Sequence, residues 1–293
     1  MQLVYRGSML VSDALHDRTL IVTGGGTGLG RAMSQRFLEL GARVVIAARN
    51  LDRLEAAAAE LRARTQGEVL AVQLDVRDAA ACDAMVKRTV ERFGKVDGLV
   101  NNAAGNFLCA AEDLTPGGFD AVVGIVMKGS FNTTLSVGKQ LIAQGGGGAI
   151  LSILTTYAWT GSAFVLPSAM AKAGVLAMTR SLAVEWGSAH AIRLNAIAPG
   201  PFPTEGAWGA LVPDPAMEEE AKRQVPLKRF GDPVELANLA AYLLSDFSGY
   251  INGDCITIDG GSWLKGAGEF NRYCDFDRDA VRQTFAAMRP KKS

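Results

Sequence analysis

Apolar residues in this chain fall into short runs separated by longer amphipathic stretches, and the two kinds alternate. Thr19–Thr23 (TLIVT) and Arg43–Ala48 (RVVIAA) are compact apolar runs bounded by turn residues, which predicts strands buried on both faces. Residues 68–74, 98–101, 149–154 (AILSIL), 193–198 (RLNAIA) and 255–258 predict five more. Helical patterning fills the gaps: from a glycine-rich turn to about Leu40, then residues 51–64, 79–93, a long region 119–144, 168–186 and 235–244. Strand–helix alternation of this kind predicts an α/β chain with a doubly wound parallel sheet of about seven strands flanked by helices. Nothing resembling a linker divides it. Residues 19–293 are therefore expected to form one domain behind a flexible leader, residues 1–18.

Composition narrows the function classes. The chain has 293 residues, 48% hydrophobic and 20% charged, with 30 basic and 30 acidic side chains and zero formal net charge. That balance gives no electrostatic reason to expect nucleic acid as a partner. No apolar run approaches the roughly 20 residues of a membrane span. The leader mixes charges throughout, which argues against a signal or transit peptide. Cys82, Cys109, Cys255 and Cys274 are scattered and read as free thiols, and His16 and His190 stand apart, so no metal site is expected.

The first chemistry lies in the turn after the first strand. Thr23, Gly24, Gly28 and Gly30 satisfy Thr-Gly-x-x-x-Gly-x-Gly, between a predicted strand and a predicted helix. Glycines there let the backbone approach a pyrophosphate, and the helix N-terminus faces it with free N–H groups, as in a Rossmann-type dinucleotide site. The whole turn, Thr23, Gly24, Gly25, Gly26, Thr27, Gly28, Leu29 and Gly30, is expected at the cofactor. The second strand ends in Ala47, Ala48 and Arg49 where NAD-preferring sites carry a carboxylate. A guanidinium suits a 2′-phosphate, so NADPH is the expected cofactor. Asp75, after the third strand, stands where it could hold the adenine edge; Arg77 could serve a phosphate of cofactor or substrate, or be solvated.

Further motifs carry a resemblance. TGGGTGLG, LDVRD, NNAAG at residues 101–105 and the helix bearing Lys172 together resemble the short-chain dehydrogenase/reductase family over about residues 19–261. Within it, NNAAGNF (101–107), TTYAWTGSAFVLPSAMAKAGV (155–175), APGP (198–201), ELANLAAYLLSD (235–246) and GEFN (268–271) resemble the mitochondrial-type 2,4-dienoyl-CoA reductases. The usual Tyr-x-x-x-Lys is altered: four residues before Lys172 stands Ser168, and a tyrosine occurs upstream at Tyr157. The usual asparagine three residues before a helical glycine is also replaced, by Val126 before Gly129.

The resemblance implies NADPH-dependent reduction of a 2,4-dienoyl-CoA to a 3-enoyl-CoA, in unsaturated fatty acid β-oxidation. It implies Tyr157 and Asn106 as donors to the thioester oxygen, Lys172 on the nicotinamide ribose and Ser168 in support. It adds Asn102, Ala103, Pro199, Gly200 and Pro201 at the cofactor. It places Arg77, Asn106, Phe107, Thr115 and Tyr157 at the acyl-CoA substrate. A homotetramer built through the fourth and fifth helices is implied too, in the cytoplasm of a bacterium or in a mitochondrial matrix.

Bland readings stand beside these. Tyr157 could be a packed loop aromatic, Asn106 a turn residue, and Ser168 the helix N-cap after Pro167. Residues 199–215 (PGPFPTEGAWGALVPDP) are expected to cover the substrate, with Phe202, Trp208 and Leu211 lining an acyl channel or anchoring the loop. Lys128 is left between substrate and a neighbouring subunit. The tail, residues 263–293, ends in PKKS and reads as solvated. Two other functions stay open: reduction of a different enoyl-CoA or enone, and a non-catalytic NADP(H)-binding scaffold.

Overall fold

The computed structural model describes residues 11–204 and 215–289. Seven parallel strands form one sheet in the order β3-β2-β1-β4-β5-β6-β7. They are β1 Thr19–Thr23, β2 Arg43–Ala48, β3 Val69–Gln73, β4 Gly98–Asn101, β5 Gly148–Ile153, β6 Ile192–Pro199 and β7 Cys255–Ile258. Strand order reverses between β1 and β4, and in open parallel sheets ligands bind beyond the carboxyl ends at that switch point.

Helices cover both faces because strand side chains alternate. Leu20 and Val22 of β1 face a core shared with Phe37 of α1 (Gly28–Glu39). Ile21 faces the opposite core with Met85 of α3 (Ala79–Phe93). Helix α2 is Leu51–Thr65, with Asn50 accepting from Arg53 N as its cap.

Three expectations need correction. Part of the leader is core: Leu15 is fully buried, and its N–H donates to the Leu40 carbonyl. Residues 1–10 lie outside the described residues. The long region 119–144 is three pieces: α4 Pro116–Val123, a π-helical turn Gly124–Lys128, and α5 Gly129–Gln144. Ser130 Oγ donates to the Val126 carbonyl at 2.6 Å inside that wide turn, which satisfies part of the backbone the π geometry frees. Helix α7 (Leu166–His190), after the one-turn α6 (Tyr157–Thr160), starts earlier than expected. Val165 is its cap residue and Pro167 lies in its first turn, so Ser168 is inside the helix and is not the N-cap.

Further on come α8 Pro215–Gln224, α9 Pro233–Leu244, α10 Ser262–Ala267 and α11 Arg278–Ala287. The tail is thus structured. Tyr273 meets Phe285 of α11 edge-on at 5.1 Å, and Asp277 caps that helix. The expected PKKS end, residues 290–293, lies outside the described residues.

Candidate active site

The glycine turn between β1 and α1 is held from beneath. Gly24 adopts a φ of +67°, a backbone form side chains disfavour. A Cβ on Gly30 would lie 2.2 Å from the Gly24 carbonyl oxygen, so α1 can start against the turn only with glycine there. Thr23 is 1% exposed. Its Oγ1 donates to the Val100 carbonyl and accepts from the N–H groups of Asn102 and Ala103. Asn102 Nδ2 donates to the carbonyls of Thr23 and Gly24. That hydroxyl joins β1 to β4, so Thr23 holds the turn in place from below. Gly25 and Gly26 pack on Ile46 and Leu54, while Gly28 sits beside Thr204. Leu29 packs against the core and offers only its backbone.

What remains open suits an anion. Thr27 precedes α1 with no side-chain cap, and the first turn holds no acidic residue, so the leading N–H groups face outward under a positive helix end. Beside them lies a cleft of about 490 Å³ lined by Gly24, Gly26, Thr27, Ala48, Arg49, Asn50, Arg53 and Leu54. Among the described residues no carboxylate lines it. Arg53 was missed from sequence because it looks like any exposed residue of a helix; its spacing of four from Arg49 was the available signal. The residues present therefore fit an NADP-type cofactor. Asp75, by contrast, is engaged: Arg77 Nε donates to both carboxylate oxygens, at 2.9 and 3.1 Å. That bond, first among the causes, holds the Asp75 carboxyl down at about 2. Arg77 in turn has less freedom to serve a phosphate than its sequence position suggested.

The reactive cluster lies at the ends of β5 and α7. Tyr157 opens α6, and its hydroxyl is 3.1 Å from Ser168 Oγ. Ser168 is almost fully buried, and Lys172, one helical turn on, shares its face. Lys172 Nζ donates to the Ile153 carbonyl at 2.5 Å. Burial brings its pKa down from 10.5 to about 8. Among the described residues no carboxylate pairs with it. A phenol, a hydroxyl and a buried cation so arranged can donate hydrogen bonds to an oxyanion.

The other expected residues divide. Asn106 is exposed and makes no hydrogen bond among the described residues. Its loop is tied to the segment before α7 by Cys109 N donating to the Phe164 carbonyl at 2.9 Å. Phe107 reaches toward Gly118. Thr115 accepts from Gly118 N and caps α4, a role its place before Pro116 signals. Pro199 ends β6, Gly200 N donates to the Ile258 carbonyl, and Pro201 O accepts from Gly231 N. Phe202 is buried against Gly231, which anchors the start of the loop, and it lines a small cavity of about 100 Å³ with Leu227, Phe230 and Ile258. Trp208 and Leu211 lie outside the described residues. Lys128 lines a groove of about 690 Å³ with Arg77, Asp120, Met127, Phe131 and Gly174. None of Tyr157, Ser168 and Lys172 lines that groove.

A family model described as Enoyl-(Acyl carrier protein) reductase matches residues 24–262. A relative from Bacillus subtilis (strain 168), named "Probable 2,4-dienoyl-CoA reductase [(2E)-enoyl-CoA-producing]", is 47% identical over 85% of this chain and 98% of its own. One from Caenorhabditis elegans, named "Probable 2,4-dienoyl-CoA reductase 3 [(3E)-enoyl-CoA-producing]", is 43% identical over 86% of this chain and 82% of its own. A crystal structure of a short chain dehydrogenase from Bacillus anthracis is 45% identical and superposes with a TM-score of 0.78, covering 85% of this chain and 98% of that one.

Proposed function

This chain belongs to the short-chain dehydrogenase/reductase family and is an oxidoreductase, and on that premise we propose that it reduces a 2,4-dienoyl-CoA with NADPH, in the oxidation of unsaturated fatty acids. The observation that carries the reading is the displaced phenol. A serine stands four residues before Lys172, and the tyrosine hydroxyl reaches that serine from the β5 loop at 3.1 Å.

The chemistry follows from where the proton must end. Reducing a ketone requires an acid that gives its proton to oxygen for good. Reducing a conjugated dienoyl thioester requires that charge on the thioester oxygen be stabilised as hydride reaches the far end of the diene, and that a carbon then take a proton, here from water. Donors aimed at such an oxygen provide that stabilisation. Tyr157 would donate to it, with Ser168 fixing the phenol, and Asn106 would be the second donor. Bound NADPH would supply the hydride. The glycine turn, Arg49 and Arg53 would hold its phosphates, with Asp75 near the adenine, and Pro199, Gly200 and Pro201 would border the nicotinamide end. Lys172 would meet the nicotinamide ribose and lend its positive charge, favouring hydrogen-bond donation nearby. Phe107, Thr115 and Arg77 would border the acyl-CoA.

The expected product is the 3-enoyl-CoA, with a carbon next to the thioester protonated. The 47%-identical relative carries the other product in its name, so formation of the 2-enoyl-CoA is a second reading. One experiment tests both. NADPH oxidation is followed with 2,4-hexadienoyl-CoA, a 2-enoyl-CoA and a 3-oxoacyl-CoA, and the product is identified by chromatography. Turnover with the dienoyl substrate to the 3-enoyl product supports the reading. Turnover only with a 2-enoyl-CoA would replace it, and cofactor binding without turnover would favour a scaffold. No helix among the described residues is long and apolar enough to cross a membrane. We place the protein in the cytoplasm of a bacterium or in a mitochondrial matrix.

A further inference from the structure

Two tryptophans from distant parts of the chain meet behind Tyr157. Trp159 lies in α6 and Trp263 in α10; their ring centroids are 5.9 Å apart and the planes cross at 86°. That edge-to-face arrangement is the favoured one for aromatic pairs. Tyr157 and Trp159 are two residues apart on one helical turn, so their side chains leave it on opposite sides. The phenol goes to Ser168 while the indole goes to α10.

Trp263 is itself held. Asp259, just past β7, accepts from the N–H groups of Gly261 and Trp263 at 2.8 and 2.7 Å. The same aspartate packs on the loop after β6, where a Cβ on Gly200 would lie 2.6 Å from Asp259 Cβ. Lys265 Nζ donates to Asp275 and Gln224, binding α10 to the following 3₁₀ turn and to the end of α8. By comparison α6 is a single turn, closed by Gly161 at a φ of +77°. One turn does not hold itself, because nucleation costs more than its few bonds return. Its orientation must come from what its side chains touch.

We propose that Trp263 is a positioning residue for Tyr157, acting through Trp159 to clamp the turn that carries the phenol. The claim rests on the reductase reading for its catalytic consequence, but not for its structural content. Two variants remove the contact from either side, Trp263→Ala and Trp159→Ala, and Trp263→Phe restores an aromatic ring. Protein labelled with 3-fluorotyrosine reports all five tyrosines, with Tyr157 assigned through Tyr157→Phe. The Tyr157 resonance is expected to shift and broaden in both alanine variants, stay near wild type in Trp263→Phe, and leave the other four unchanged. With NADPH and 2,4-hexadienoyl-CoA, kcat is expected to fall about ten- to hundredfold in the alanine variants, as misplaced catalytic groups do, with KM for NADPH unchanged. An unmoved Tyr157 resonance overturns the proposal. So does the loss of all five native signals, which would make the pair a support of the whole fold. A wild-type protein inert toward the dienoyl substrate would end the reductase reading, and the fluorine spectrum would still decide the clamp.

Discussion

Lys172 carries its charge on one visible hydrogen bond, to the Ile153 carbonyl, and burial alone brings its pKa down to about 8. Two consequences follow. If the cation is the working form, kcat should be level below about pH 8 and fall above it; a rate still level well above pH 9 would show that the cation is not needed. The stability effect has its own sign. The folded pKa lies below the unfolded value near 10.5, so the unfolded chain holds the extra proton between these limits. Stability of the cofactor-free protein therefore rises with pH from about 8 to about 10.5, and the burial penalty is fully present below about 8. Lys172→Met should then raise urea-unfolding stability at pH 7 by up to about 3 kcal/mol while abolishing turnover. A destabilised methionine variant would mean that the bond to Ile153 outweighs desolvation.

At the scale of elements, the proposed preference for NADPH rests on the junction of β2 and α2. Arg49 and Arg53 flank a cleft without a carboxylate. Arg49→Ala should raise KM for NADPH about tenfold or more and leave NADH alone, since a charge-assisted bond to phosphate contributes about 1.5–3 kcal/mol. Arg49→Ala with Arg53→Ala should raise it further. Equal effects on both cofactors would remove the phosphate from the account. The same junction shows what could be read from sequence. The β1–turn–α1 unit was legible because glycine spacing and strand periodicity carry it. The role of Thr23 was not, because a hydroxyl turned inward to Val100, Asn102 and Ala103 has no sequence signature. The π turn was equally hidden: Gly124–Lys128 keeps a helical pattern, and only the packing of Gly129 against Val76 and the bonding of Ser130 distinguish it. Ser168 failed as a cap because α7 begins two residues before it, at Leu166, with Pro167 in its first turn.

Across the whole molecule, the strand order puts the glycine turn, the β4 loop carrying Asn106 and the β5 turn carrying Tyr157 beyond the carboxyl ends of three neighbouring central strands. Order of elements and fold class were legible, since apolar strands, half-buried throughout only at the β7 edge, alternate with helices. Contacts between distant segments, such as Leu15 with the core, depend on packing that no local pattern encodes. The outer faces of α5 and α7 expose Phe131, Met170 and Val184 and border the groove beside Lys128. We propose that these faces pack between subunits in the homotetramer that the family resemblance implies. Phe131→Glu should lower the mass measured by light scattering to that of a smaller species, whereas an unchanged mass would move the interface elsewhere. In the proposed reaction a phenol displaced to residue 157 stabilises charge on a thioester oxygen. Its most direct test is the rate of NADPH oxidation with 2,4-hexadienoyl-CoA, measured beside a 3-oxoacyl-CoA, in wild type and in Tyr157→Phe. The account predicts turnover of the dienoyl substrate alone, reduced roughly a hundredfold in the phenylalanine variant with NADPH affinity unchanged. Turnover within a few-fold of wild type in that variant, or equal reduction of the 3-oxoacyl-CoA, would contradict it.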